Sequence, residues 1–243
     1  MSRKKLIFTA IILALVLLIG GILAYFTDVQ TKTNSFTLGN VDIEVNEGNF
    51  PDGGIENVTP GIEYEKSPKI INKGTTPVYA FVKVSIPYRN ISVGGAQADD
   101  TELFELLHIT DATQGTTAVG INAPTASKDG WALVNVAEEG ATDPVTSVKD
   151  ATAQTVTYVY AYVDAQGKLK ALNGKEGSVE DETNTLFDKI RFIDISESTP
   201  TNSQIQGQTF NVTVSGYGIQ TNELGLSETD ATNPAKVWPL ANR

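Results

Sequence analysis

The stretch that most constrains the fold is Val78-Tyr79-Ala80-Phe81-Val82-Lys83-Val84-Ser85-Ile86, whose first half is apolar at every position. A β-strand sends successive side chains to opposite faces, so a half-buried strand alternates apolar with polar residues. A run without alternation needs cover on both faces, and it predicts the central strand of a two-layer sandwich. Pro87 is expected to end this strand, because proline cannot donate to a ladder. Thr155–Val163 makes a similar demand. Val156, Tyr158, Tyr160 and Tyr162 share one face, while Thr155, Thr157, Val159, Ala161 and Val163 share the other. The aromatic row reads as cross-strand packing in a core rather than as a ligand platform.

Period-2 patterning extends to most of the remaining chain. Phe36 and Leu38 alternate with polar residues; after Gly39-Asn40 the phase slips by one, to Val41, Ile43 and Val45, as a bulge or tight turn requires. Residues 47–61 read as a loop ending in Thr59-Pro60-Gly61, Ile62–Ile71 as a second strand, and Asn72–Pro77 as a turn. Thr101–His108 has helical spacing, with Thr101 as N-cap and Glu102 in the first turn, and predicts a short inserted helix. Trp131–Val136, Lys189–Ile193 and Gln208–Gln220 read as strands, and Asp164–Asn184 as a mobile polar loop. In the last strand Phe210, Val212 and Val214 are expected to face inward, followed by Tyr217 and Ile219. Seven to nine strands, one helix and no βαβ alternation indicate an all-β antiparallel sandwich, of jelly-roll or immunoglobulin-like type.

The start of the chain carries a different signal. Arg3, Lys4 and Lys5 precede the apolar run Leu6–Leu23, and the small residue Ala24 closes it. These are the parts of a secretory signal peptide. The run is longer than an ordinary signal core of roughly 7–15 residues, and its helix, about 27 Å long, falls just short of a hydrocarbon layer of about 30 Å. Two fates follow: cleavage between Ala24 and Tyr25, or retention as an N-terminal anchor. The expected organisation is a signal helix over 1–24, a polar segment over 25–40 and a β-sandwich over 41–243. Losing the three basic residues takes the formal net charge from −11 to −14. Such a surface repels nucleic acid, which is excluded as a partner, and anionic membranes; the only membrane contact expected is transient, through the signal helix.

Chemistry is sparse. The sequence has no cysteine, so disulfides and thiolate sites are excluded and packing alone, or contact with neighbours, must hold an exported fold. His108 is the single histidine, and it reads as a structural residue at the end of the expected helix. A His-Glu-x-x-His zinc site needs two imidazoles on one helix face, and a serine hydrolase needs a Gly-x-Ser-x-Gly elbow; neither is present. Asp99-Asp100, Glu138-Glu139 and Glu180-Asp181-Glu182 lie in polar stretches without the ligand spacing of an EF-hand, and read as solvated loop charge. No catalytic residue, metal ligand or cofactor is assigned.

Several stretches together resemble the family of exported bacterial biofilm-matrix fibre subunits that includes TasA and camelysin. They are Leu23-Ala24 with Tyr25-Phe26-Thr27-Asp28, Thr33–Ile43, Val58-Thr59-Pro60-Gly61, Ile71–Tyr79 and Phe210–Gln220. The resemblance implies a dedicated signal peptidase cutting before Tyr25, a jelly-roll-like fold, and assembly into fibres of the extracellular matrix or bacterial cell surface. It also implies that the freed segment, with Tyr25, Phe26, Thr27, Asp28, Phe36 and Leu38, adds a strand to the sheet of the next subunit. The partners are then further copies of the chain, other matrix proteins and, during export, the signal peptidase. Camelysin relatives are described as metalloendopeptidases, an activity that the single histidine does not support. A monomeric adhesion or binding module of the cell surface is the alternative class.

Overall fold

In a computed structural model, the residues described are Arg3, 40–93, 96–109, 118–120, 130–136, 145–195, 205–222 and 224–242. The expected signal helix, the Phe36–Leu38 half of the first strand and Glu138-Glu139 lie outside them. Among the described residues, the strands of the first half are β1 (Ile43–Asn46), β2 (Glu63–Glu65), β3 (Lys69–Asn72), β4 (Val78–Val93), β5 (Ala96–Glu102), β6 (Phe104–Ile109) and β7 (Ala118–Gly120). Those of the second half are β8 (Trp131–Leu133), β9 (Val148–Asp150), β10 (Thr155–Tyr162), β11 (Ala171–Leu172), β12 (Asp181–Glu182), β13 (Lys189–Phe192) and β14 (Thr213–Gln220). All their pairings are antiparallel. The fold is mostly β, a curled sandwich, as the patterning predicts.

The expected two-sided burial of the Val78 strand holds. β4 pairs with β10 and β11 on one side and with β14 and β5 on the other, in a seven-stranded sheet. On its inner face Val78, Ala80, Val82, Val84, Ile86 and Tyr88 join Val156, Tyr158, Tyr160 and Tyr162 of β10 in the main core. The opposing layer is built from the sheets β1-β3-β12 and β2-β13-β6-β7, which contribute Ile70, Leu106 and Ile190. On the outer face Tyr79, Phe81, Val159 and Ala161 form a second core. It is covered by the C-terminal helix α1 (Pro234–Val237) and Trp238, whose ring lies 5.5 Å from Phe81 and edge-on to Tyr217 at 5.1 Å. Asn233 caps this helix by accepting from the Ala235 N–H at 3.0 Å, and Pro234 occupies the first position, where no N–H is needed.

Four expectations are corrected. β4 runs through Pro87 to Val93, because the proline sits where pairing with β14 has ended at Ser85 and pairing with β5 begins at Tyr88. Its missing N–H therefore interrupts no ladder, while its carbonyl accepts from Leu103 N at 2.8 Å. Ile62–Ile71 is two short strands in different sheets, with Ser67-Pro68 between them. Thr101–His108 is not a helix: it is the end of β5, a bend at Leu103, and β6. Leu106 faces the main core, Leu103 a third cluster with Ile91, Phe192 and Ile193, and β13 pairs Ile190 with Leu106 and Phe192 with Phe104. Cover on two sides mimics helical spacing in the sequence, and sheet pairing overrides it. Asp164–Asn184 is ordered into β11 and β12, whose pairing with β4 and β3 adds one strand to each of two sheets.

β14 shows how the layers fit. Tyr217 and Ile219 face the outer core, while Gly216 and Gly218 leave the inner face bare for β1. A Cβ on Gly216 would stand 2.5 Å from Ile70 Cδ1 and 2.7 Å from Val45 Cγ2; one on Gly218 would stand 2.7 Å from Ile43 Cγ2. We expect Gly216→Val to destabilise the fold by about 1–3 kcal/mol through overpacking. Thermal denaturation reads this as a lower Tm, with Gly53→Ala, at a site open to solvent, leaving Tm unchanged.

Candidate functional site

Two of the stretches singled out in the sequence meet in space just ahead of β1. Asn40 N donates to Thr75 Oγ1 at 3.2 Å, and Asn40 Oδ1 accepts from Thr75 N and Oγ1, both at 3.1 Å. Thr76 N donates to Asn40 O at 3.2 Å, and Asp42 O accepts from Lys73 N at 2.8 Å and Gly74 N at 2.9 Å. A third segment backs the second: Lys175 N donates to Gly74 O at 2.7 Å. Two glycines permit the stacking by lacking a side chain rather than by unusual φ. A Cβ on Gly74 would come within 2.5 Å of Asn40 O, and one on Gly174 would overlap Thr75 O. Underneath lies Asn72, fully buried, donating to Thr76 O and Asn173 O, both at 2.9 Å, and accepting from Gly74 N at 3.0 Å. The sequence marks this stretch as a turn; nothing in it signals that the Asn72 side chain ties two loops together.

Lysines and carboxylates lace the same region. Lys73 pairs with Glu180 at 2.7 Å and Glu44 at 3.2 Å, Lys175 with Glu180 at 2.7 Å, and Lys69 with Glu182 at 2.8 Å. Asp181 accepts from Asn173 N at 2.9 Å. The Glu180-Asp181-Glu182 run is therefore engaged, not merely solvated. Hydrogen bonds from Lys175 and then Lys73 hold the Glu180 carboxyl below its ordinary value, and Glu180 and then Glu44 hold Lys73 above its own.

The second feature is a sheet edge. β14 pairs with β4 on one side, and among the described residues no strand pairs with its other side. An open edge offers unpaired N–H and C=O groups to any extended chain, and proteins usually blunt such edges with charge, proline or short length. Other outer strands do so: β1 carries Glu44, β2 has Glu63 and Glu65, β9 has Lys149 and Asp150, β12 is Asp181-Glu182, each of four residues or fewer, and the seven-residue β5 carries Asp99, Asp100 and Glu102. β14, Thr-Val-Ser-Gly-Tyr-Gly-Ile-Gln, has eight residues with no charge and no proline. Among the described residues it is a long edge without a pairing strand.

A third candidate is a cleft of about 810 Å³ lined by Asp100, Glu102, Glu105, Tyr158 and Arg191. Most of these polar groups are matched to one another or to a neighbour. The Tyr158 hydroxyl donates to Glu102, Arg191 Nε donates to Glu105 at 2.8 Å, and Asp100 pairs with Lys149 at 3.1 Å. Burial, and then the Glu102 carboxylate, push the Tyr158 hydroxyl far above its ordinary value; burial does the same to Tyr160. Both remain neutral hydrogen-bonding groups across the physiological range, not bases or nucleophiles. His108 lies on β6, opposite Val119 of β7. Among the described residues no three His, Asp or Glu side chains are grouped to hold a metal ion. With one histidine in the whole sequence, these residues do not fit the zinc site of a metallopeptidase.

The residues expected to flank the cut, Ala24 and Tyr25, and to form the assembly strand, Tyr25, Phe26, Thr27, Asp28, Phe36 and Leu38, lie outside the described residues. Residues 3–107 match the family described as Camelysin metallo-endopeptidase. No curated protein matches the chain.

The ion network sets a pH window. Glu180, held below its ordinary 4.5, contributes fully above that value and loses its contribution as pH falls through the lower folded value. Lys73, held above 10.5, contributes fully below that value and loses its contribution as pH rises through the higher folded one. Amide protection factors at Lys73, Gly74 and Lys175 should therefore be flat through neutral pH and fall in acid below the ordinary carboxylate value. Glu180→Gln should remove that acid limb. Asn72→Ala, which strands buried partners, should cost about 1–3 kcal/mol in chemical denaturation.

Proposed function

We propose that this chain, a member of the TasA/camelysin-like family, is a secreted structural subunit of extracellular-matrix or cell-surface fibres. The observation that carries the reading is the eight-residue, uncharged, proline-free outer edge of β14. In the proposed assembly, cleavage between Ala24 and Tyr25 frees the segment Tyr25–Leu38, which pairs with this edge on a neighbouring copy through main-chain hydrogen bonds. Phe36 and Leu38 fall on one face of such a strand, where they can anchor it. Because the segment of one copy meets a different surface of the next, the contact is heterologous and repeats without closing, which makes a filament. Cleavage acts as the switch, since an anchored N-terminus is not free to enter a neighbour. Further copies are the main partner in this reading, and other matrix proteins join them in the fibre.

Electron microscopy of the exported form over time, with N-terminal sequencing of the same sample, tests this. The sequence should begin at Tyr25 and fibres should appear. A variant lacking Tyr25–Ser35 should keep the circular dichroism and Tm of the parent and form no fibres; fibres from it would sink the strand-addition mechanism. A parent that stays monomeric would favour an adhesion module. The family's name motivates one more assay: azocasein should remain uncleaved with or without a chelator, and chelator-sensitive cleavage would return the peptidase reading.

A further inference from the structure

We propose that the three backbone segments stacked at Asn40 form a tension clamp, which keeps β1 seated when force is applied through the N-terminal end of the chain. Force passed along the chain from there reaches Asn40 before any of the described strands. Within three residues, Asn40 to Asp42, the chain is tied to Lys73–Thr76 by six hydrogen bonds. Asn40 and Asp42 each hold the facing segment at more than one point, so the bonds share the load rather than failing singly.

The facing segment cannot retreat. Lys175 N holds Gly74 O, Gly174 packs its backbone on Thr75, and the buried Asn72 side chain ties the turn to residues 172 and 173. Behind the clamp β1 has its own holds. Glu44 pairs with Lys73 at 3.2 Å, Ile43 and Val45 sit over Gly218 and Gly216, and Glu47 pairs with the buried Lys66 at 2.6 Å. Without the clamp, the four-residue pairing of β1 with β3 would open from its end, one pair at a time. The clamp belongs to the single subunit; only its use under tension in a fibre rests on the function proposed above.

Single-molecule force spectroscopy on the full chain, held through tags at both termini, reads this directly. The fold should open in one step with no earlier event. In Asn40→Ala/Thr75→Ala, β1 should peel first, adding a separate step at lower force. Release of residues 40–62, at roughly 3.5 Å each, gives about 80 Å. Gly74→Ala should produce the same step by wedging the segments apart. If that variant does not fold, the double variant, which alters only exposed side-chain bonds, carries the test. An 80 Å step in the parent, or a double variant whose traces match the parent, overturns the proposal. Neither result depends on fibres forming, so the clamp and the fibre reading can fail separately.

Discussion

Everything in this fold follows from having to cover one strand on both faces. β4 has alternate residues in two different cores, so it cannot lie at the edge of a sheet or on the surface of a single-layer one. The inner face requires a second layer, which the two smaller sheets supply. The outer face requires a lid, which the C-terminal Val237 and Trp238 supply. Each large side chain so buried contributes roughly 1.5–3 kcal/mol, and in a chain without cysteine this apolar burial must do what disulfides do in many exported domains. Trp131 shows the accompanying polar condition: it is buried with its indole N–H donating to Asn184 O at 3.0 Å.

Around this core the margins are treated in two ways. Several short outer strands are charged and tied down by ion pairs, as with Glu44, Glu63 and Glu182. β14 is long and uncharged, and its bareness on one face is filled from within by β1. The same strand therefore serves two neighbours inside the fold, while among the described residues no strand pairs with its other side. An edge of that kind costs a monomer its resistance to association, and the cost makes sense where association is the purpose.

How far the sequence could be read depended on whether local pattern and long-range contact agreed. Val78–Ile86 and Thr155–Val163 were legible because two-sided burial leaves a simple signature of apolar residues at consecutive positions. Thr101–His108 was misread because Leu103, Phe104, Leu106 and Leu107 serve several partners across a bend, which reproduces a helical period without a helix. Pro87 misled because its effect depends on which neighbour its nitrogen faces, a property of the sheet. In Asp164–Asn184 the ordering comes from Asn72, Lys69 and Lys73, about a hundred residues earlier, so polarity alone suggested mobility. The clamp was hidden for a related reason: glycines at 74 and 174 look like turn residues, whereas their role is to let backbones touch.

The glycine groove of β14 also fixes an order of events. Among the described strands synthesis produces β1 first and β14 last, so the surface that receives Ile43 and Val45 does not exist until the others have been made. β1 can pair with β3 early and β4 with β10 midway, but the packing of β1 on β14 must wait. A growing chain thus holds one face of β1 uncovered until β14 is made. The fold closes late, and it closes at the end from which the N-terminal segment departs.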